Sequence, residues 1–151
     1  VKPTTRWHPA PESWLSWEGS PMAGPARKQN RKEHGMSTFD HSSLIQDINE
    51  SLAPFRKAQP EAMAGFGQLA RAAIADGALS ARQKELIALA IGVTQRCSGC
   101  IGFHVKALHR LGCTRAELEE MLAVCVYMGG GPALMYAAEA ITAWEKMAPS
   151  S

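Results

Sequence analysis

From about residue 42 onward, the apolar residues of this chain recur every three or four positions, which is the spacing of one face of an α-helix. The first two stripes consist of Leu44, Ile45, Ile48, Leu52 and Phe55, and of Met63, Phe66, Leu69, Ala70, Ala73 and Ile74. No stretch alternates convincingly between apolar and polar residues, as a half-buried strand would. The pattern therefore predicts an all-α fold.

Start and stop signals divide the rest of the chain into further helices, about six in all. Two segments, Ser80-Ala81-Arg82-Gln83 and Thr114-Arg115-Ala116-Glu117, have the form of capping boxes, which open helices. The helix after the first box is apolar on every side over residues 86–91, so we expect it at the centre of the domain. The remaining helices are expected from about Ser98 to Leu111, from Thr114 to Tyr127 and, after a break at Gly129-Gly130-Gly131-Pro132, from about Ala133 to Lys146.

A chain of 151 residues is long enough for one ordinary domain and too short for two separate cores. We expect a flexible N-terminal extension over residues 1–39, a helical domain over 40–147 and a tail over 148–151. The extension holds three of the four tryptophans but shows no helical period. A start-site artefact and a partner-binding arm are the alternative interpretations of this segment.

The charge of the chain is unevenly placed and small. Residues 1–35 contain six Lys or Arg and three acidic residues. The rest of the chain contains ten Lys or Arg and eleven acidic residues. The domain thus lacks the clustered basic face that phosphate binding needs, so we expect no nucleic-acid partner. We find no signal-peptide pattern and no apolar run near the about 20 residues that span a bilayer, so we expect no membrane association and a cytoplasmic location.

The candidate chemistry lies between Glu85 and His104, where the chain also carries Cys97 and Cys100. If the third and fourth helices form an antiparallel hairpin about a turn near Gln95, Glu85 falls opposite His104, because both helices rise about 1.5 Å per residue. A nucleophile, a base and a group that orients the base would then lie together. The helix N-terminus favours Cys97 as the thiol with the lower pKa. The imidazole of His104, four residues after Cys100, favours Cys100 instead. The spacing leaves both assignments open.

These residues carry a resemblance to a known family. Glu85, the Cys97-x-x-Cys100 pair, His104 and the downstream Gly-Gly-Gly-Pro resemble the alkylhydroperoxidase AhpD-like branch of the carboxymuconolactone decarboxylase superfamily. The similarity covers roughly residues 40–147. It implies an orthogonal all-helical bundle with a central CxxC-bearing hairpin, assembled as a homotrimer or homohexamer.

The resemblance also implies an enzyme, a peroxidase that works through a redox-active cysteine pair. Cys100 becomes the attacking thiolate, Cys97 the resolving thiol, and His104 with Glu85 the proton relay. The substrate would be a hydroperoxide or a disulfide, an external dithiol would regenerate the pair, and no cofactor would be required. Better-studied AhpD proteins have a histidine between the cysteines, where this chain has Ser98-Gly99, which predicts weaker peroxidase activity.

Other interpretations of the same residues predict different chemistry. Zinc could bind the two thiolates with His104 and Glu85, or the thiols could be structural in an oligomeric binding module. A general dithiol–disulfide oxidoreductase keeps the redox chemistry, whereas carboxymuconolactone decarboxylase activity generally needs no cysteine pair. Cys113 and Cys125 are expected to be small buried hydrophobes. Glu139, which is surrounded by apolar residues, is expected to form an ion pair at an interface.

Overall fold

The computed structural model describes residues 40–148, which form five α-helices and no β-strand. The helices are α1 (His41–Ala58), α2 (Pro60–Ile74), α3 (Ala81–Thr94), α4 (Ser98–Arg110) and α5 (Arg115–Lys146). The prediction of an all-α fold is confirmed. The N-terminal extension expected over residues 1–39, and all of the expected tail except its first residue, lie outside the described residues.

Local hydrogen bonds explain where the helices begin. The Asp40 side chain accepts a hydrogen bond from the Ser42 amide at 3.0 Å and so caps α1. Both expected capping boxes form: the first joins Ser80 and Gln83 at the start of α3, and the second joins Thr114 and Glu117 at the start of α5. Each box satisfies amide donors that have no partner within the helix.

The glycine run bends α5 without ending it. Gly130 has φ 63° and ψ −153°, a conformation that is essentially restricted to glycine. Pro132, two residues later, has no amide hydrogen to donate. The break expected at the glycine run is therefore present: the two helices expected on either side of it are two helical segments of α5, joined by a kink at Gly130.

The hydrophobic core lies where α3, α4 and α5 meet. Each of these helices contributes at least one of the larger side chains that are fully buried. These side chains are Leu89, Val93, Ile101, Val105, Leu108 and Leu118. The second half of α5 contributes a row of buried alanines, namely Ala133, Ala137, Ala140 and Ala143. Small side chains of this kind allow neighbouring helices to approach closely. The α3–α4 hairpin that carries the candidate chemistry therefore forms part of the core.

A large apolar surface stays exposed on the single chain. Helix α3 is central, as expected, because it packs against α2, α4 and α5, but its Ile87 and Ile91 remain 49% and 50% exposed. Helix α2 has no buried residue, and its apolar stripe, which includes Phe66 and Leu69, lies at the surface. Exposed apolar patches of this extent are typical of interaction surfaces.

Within residues 40–148, one helix is long and apolar enough to cross a membrane by length and composition alone, and it is α5. This finding corrects the expectation that no apolar run approaches that length. The kink at Gly130 divides this helix, and the alanine row of its second half belongs to the core. In this structure the helix packs against α3 and α4.

Candidate active site

A tight turn joins α3 to α4 and sets their register. The Cys97 amide donates to the Gly92 carbonyl at 2.9 Å, and Arg96 adopts φ 60°, so the chain reverses within three residues. The two helices then run antiparallel in close contact. A Cβ atom added to Gly92 would lie 3.1 Å from the Cys100 Cβ, which shows how closely α3 approaches the second cysteine.

Cys97 and Cys100 form a disulfide at the start of α4, with 5.2 Å between their Cα atoms. Cys97 is also the N-cap residue of α4, and its Sγ accepts a hydrogen bond from the Cys100 amide at 3.2 Å. The sulfurs therefore lie at the positive end of the helix dipole. In the reduced pair, this end stabilises a thiolate over a thiol.

Glu85 and His104 form a hydrogen-bonded pair across the hairpin. The Glu85 Oε2 lies 2.6 Å from the His104 Nδ1, as the hairpin register leads one to expect. The Glu85 side chain is buried, whereas that of His104 is 30% exposed. Because the carboxylate engages Nδ1, the ring orientation is set and Nε2 is the nitrogen left for proton transfer.

The structure thus brings together the four residues that the sequence analysis predicted for the site. Cys97, Cys100 and His104 follow one another along α4 at spacings of three and four residues, so they share one side of that helix. Glu85 reaches this side from α3. A pair of sulfurs, an imidazole and a carboxylate that orients it are the groups that activated cysteine chemistry uses.

The zinc alternative finds no support in the described geometry. Across residues 40–148, no group of three or more His, Cys, Asp or Glu side chains is arranged to hold a metal ion. The sulfurs of Cys97 and Cys100 are bonded to each other, and the carboxylate of Glu85 is directed at the imidazole. The donors are therefore paired with one another and do not converge on a central point.

Helix α1 covers the position between the cysteines. A Cβ atom added to Gly99 would lie 2.9 Å from the Cδ1 of Ile48, so any side chain there would have to displace Ile48. This contact gives a physical reason for a residue without a side chain at position 99, one of the two positions between the cysteines. Of the residues expected to form a proton relay, His104 and Glu85 are in hydrogen-bond contact.

A second pair of histidine and carboxylate, His41 and Glu139, was not predicted. The His41 Nε2 lies 3.0 Å from the Glu139 Oε1, and the His41 side chain is fully buried. Glu139 therefore pairs within its own chain, where an interface pair was expected. The apolar surroundings of Glu139 were the one signal in the sequence, and nothing near His41 indicated its partner 98 residues away.

Cys113 and Cys125 are both buried and take no part in a disulfide. Burial raises the pKa of the Cys113 thiol to about 11, and it also raises the pKa of the Cys125 thiol. Little thiolate exists at either position near neutral pH, so both behave as the small hydrophobes expected from the sequence.

Comparison with known proteins identifies the family. Residues 60–143, which are more than half of the chain, match the carboxymuconolactone decarboxylase family. A crystal structure of an apo carboxymuconolactone decarboxylase family protein from Legionella pneumophila superposes with a TM-score of 0.69 and 55% sequence identity. The match covers 71% of this chain and 96% of that one. The chain belongs to the carboxymuconolactone decarboxylase family.

Two further relatives extend the comparison. An uncharacterised protein from Cupriavidus necator is 39% identical over 110 residues, which cover 73% of this chain and 97% of the relative. An uncharacterised protein from the cox locus of Paracoccus denitrificans is 35% identical over 82 residues, which cover 54% of this chain and 74% of the relative. Neither name states an activity, so the function has to be argued from the site.

Proposed function

We propose that this protein is a thiol-dependent peroxidase and disulfide reductase of the AhpD-like type. The observation that carries the proposal is the Cys97–Cys100 disulfide at the start of α4, beside the hydrogen-bonded pair of Glu85 and His104. A disulfide between residues three apart closes a very small loop and constrains the unfolded chain little, so its contribution to stability is small. A catalytic role explains such a bond better than a structural one.

In the proposed cycle, the Cys100 thiolate attacks the distal oxygen of a hydroperoxide. The O–O bond breaks, the alkoxide leaves with a proton as the alcohol, and Cys100 becomes a sulfenic acid. The Cys97 thiol then attacks that sulfur, which releases water and forms the disulfide. One hydroperoxide is reduced by two electrons, and the two thiols are oxidised by two.

His104 and Glu85 supply the proton transfers of this cycle. The imidazole takes the proton of the Cys100 thiol and returns one to the leaving alkoxide, while Glu85 holds Nδ1 and directs Nε2 outward. The assignment of Cys100 as the attacking sulfur rests on its spacing of four residues from His104. Cys97, whose sulfur caps the helix, is placed to resolve the sulfenic acid.

An external dithiol completes the cycle by thiol–disulfide exchange, in which its two thiols are oxidised and the Cys97–Cys100 bond is reduced. We place this cycle in the cytoplasm, where disulfides are usually transient and catalytic. If a disulfide oxidises the reduced pair faster than any hydroperoxide does, the same residues describe a general dithiol–disulfide oxidoreductase.

Mass spectrometry of the intact protein tests the proposal. We expect one equivalent of an alkyl hydroperoxide, added to the fully reduced chain, to lower its mass by two hydrogen atoms within the dead time of manual mixing. Peptide mapping should locate the new bond between Cys97 and Cys100. Unreacted thiols after this treatment, with oxidation only by a model disulfide, would contradict peroxidase activity and favour the general oxidoreductase.

We also propose that the protein assembles as a homotrimer or homohexamer through its exposed apolar surface. An apolar groove of about 360 Å³ runs between α3 and the first half of α5, and its lining is formed by Leu86, Ile87, Ala90, Ile91, Thr94, Met121, Val124, Cys125 and Met128. Val124 and Met128 on its rim are 60% and 73% exposed. A second copy of the chain would remove this surface from water.

Sedimentation measurements should show a single species of three or six chains at micromolar concentration. The variant Val124→Glu places a charge on a side chain that is exposed in the single chain, so it should reduce the assembly to smaller species without unfolding it. Gln68→Glu adds the same charge at an exposed position of α2 and serves as the control. A monomeric wild-type protein would refute the assembly.

A further inference from the structure

The exposed side of α4 beyond the cysteines is positively charged. Between Glu85 and Glu117 the chain has no acidic residue and four basic ones, Arg96, Lys106, Arg110 and Arg115. Arg115 is held by Glu119 and Glu145. Lys106 and Arg110 are exposed on α4, and neither forms an ion pair with any of residues 40–148.

These two cations lie at a cavity of about 450 Å³, which is lined by Phe103, Lys106, Ala107, His109, Arg110 and Met147. The wall formed by His109 is fixed, because its ring stacks on Trp144 at 3.8 Å and its Nε2 bonds the Trp144 carbonyl at 3.0 Å. Phe103 and Met147 supply apolar surface. The cavity therefore combines apolar walls with two cations and no carboxylate.

Part of the cavity lining lies near the side of α4 that carries Cys100, whereas Lys106 and Arg110 lie about 120° and about 80° around the helix from that side. Cys100, Phe103 and Ala107 are spaced by three and four residues, so they follow one another along one side of the helix. With a rise of about 1.5 Å per residue, Lys106 lies about 9 Å and Arg110 about 15 Å along the helix axis from Cys100. A ligand that reaches from these cations to Cys100 must pass Phe103, which is 39% exposed.

We propose that this cavity binds the carboxylate of an amphipathic hydroperoxide, such as a peroxidised fatty acid. The inference rests on the proposed peroxidase function and names its substrate class. Arg110 and Lys106 pair with the carboxylate, and the apolar chain lies over Phe103. The hydroperoxide group then reaches Cys100, where the reaction is the one already described. The apolar walls favour an anion carried on a hydrocarbon chain over a free inorganic anion.

The test compares a fatty-acid hydroperoxide with its methyl ester, which has the same chain but no charge. The reduced full-length protein should be oxidised about tenfold faster or more by the acid, which is the scale of one charge-assisted hydrogen bond. In the variant Lys106→Gln/Arg110→Gln the ratio of the two rates should fall close to one. The control variant Lys57→Gln/Arg71→Gln removes two exposed cations from α1 and α2 and should keep the wild-type ratio. Equal rates for acid and ester, or a preference that survives in Lys106→Gln/Arg110→Gln, would overturn the proposal.

Binding of decanoate separates this proposal from the peroxidase function. Calorimetry should show that decanoate binds the wild-type protein and the control variant, and that its affinity drops about tenfold or more in Lys106→Gln/Arg110→Gln. If no hydroperoxide oxidises the protein but decanoate binds in this pattern, the carboxylate site stands and the peroxidase proposal fails. If decanoate does not bind the wild-type protein, the carboxylate site is refuted even where peroxides react.

Discussion

The variant Cys100→Ser should lose peroxide-dependent oxidation of the active-site pair completely, because the serine hydroxyl is not ionised near neutral pH and cannot attack the O–O bond. The remaining Cys97 thiol has no four-residue spacing to His104 and cannot form the internal disulfide. We expect the intact mass to stay unchanged after one equivalent of hydroperoxide. Serine nearly matches cysteine in size, so the fold of the half-buried site should be retained.

Cys97→Ser is the matched control, and it distinguishes attack from resolution. It should still react with hydroperoxide at the wild-type rate but stop at the sulfenic acid, which adds one oxygen atom and can be trapped with a carbon nucleophile. The opposite pattern, with oxygen added to Cys100→Ser and an unreactive Cys97→Ser, would assign the attack to Cys97. The helix dipole would then outweigh the histidine in selecting the nucleophile.

Loss of the imidazole should produce the second largest effect. In His104→Gln the rate of peroxide-driven oxidation should fall by about 100-fold or more, which is the usual contribution of a positioned general acid and base. Glutamine can still donate a hydrogen bond to the buried Glu85 carboxylate, so the variant should fold. The rate is measured by quenching the reaction with acid and counting disulfide by mass.

A double-mutant comparison tests whether Glu85 acts through His104. Glu85→Gln alone should slow the reaction by about tenfold or more, whereas Glu85→Gln added to His104→Gln should slow it little further. Free imidazole should restore part of the rate in His104→Ala, which a purely structural role would not allow. Additive losses in the double variant, together with no rescue by imidazole, would show that the pair is structural.

Much of the helical region could be predicted from the chain because it depends on short spacings. The capping boxes at Ser80 and Thr114 involve residues three apart, and the antiparallel register that places Glu85 opposite His104 follows from one turn and the rise of a helix. Periodicity also located the break near Gly130. The structure confirms this break, because the backbone of Gly130 is not helical. The relative direction of the two segments could not be predicted, because it depends on how both of them pack against α3 and α4.

Contacts over long separations in the chain could not be predicted. The pairing of His41 with Glu139 joins residues 98 apart, and the position of Ile48 over Gly99 depends on how α1 lies across α4. The sequence likewise showed that Ile87 and Ile91 belong to an apolar helix. It could not show that their side chains stay exposed on the single chain. Each of these contacts is set by the packing of whole helices.

By itself, the sequence determined the helices, their caps and the spacing of Cys97, Cys100 and His104 along one side of α4, because these features arise from hydrogen bonds and neighbours within one or two turns. The tertiary structure decided which carboxylate meets which histidine, which apolar residues remain in contact with water, and which side chains line the cavity along α4. Those outcomes depend on the simultaneous fit of side chains from several helices, and no local pattern encodes that fit.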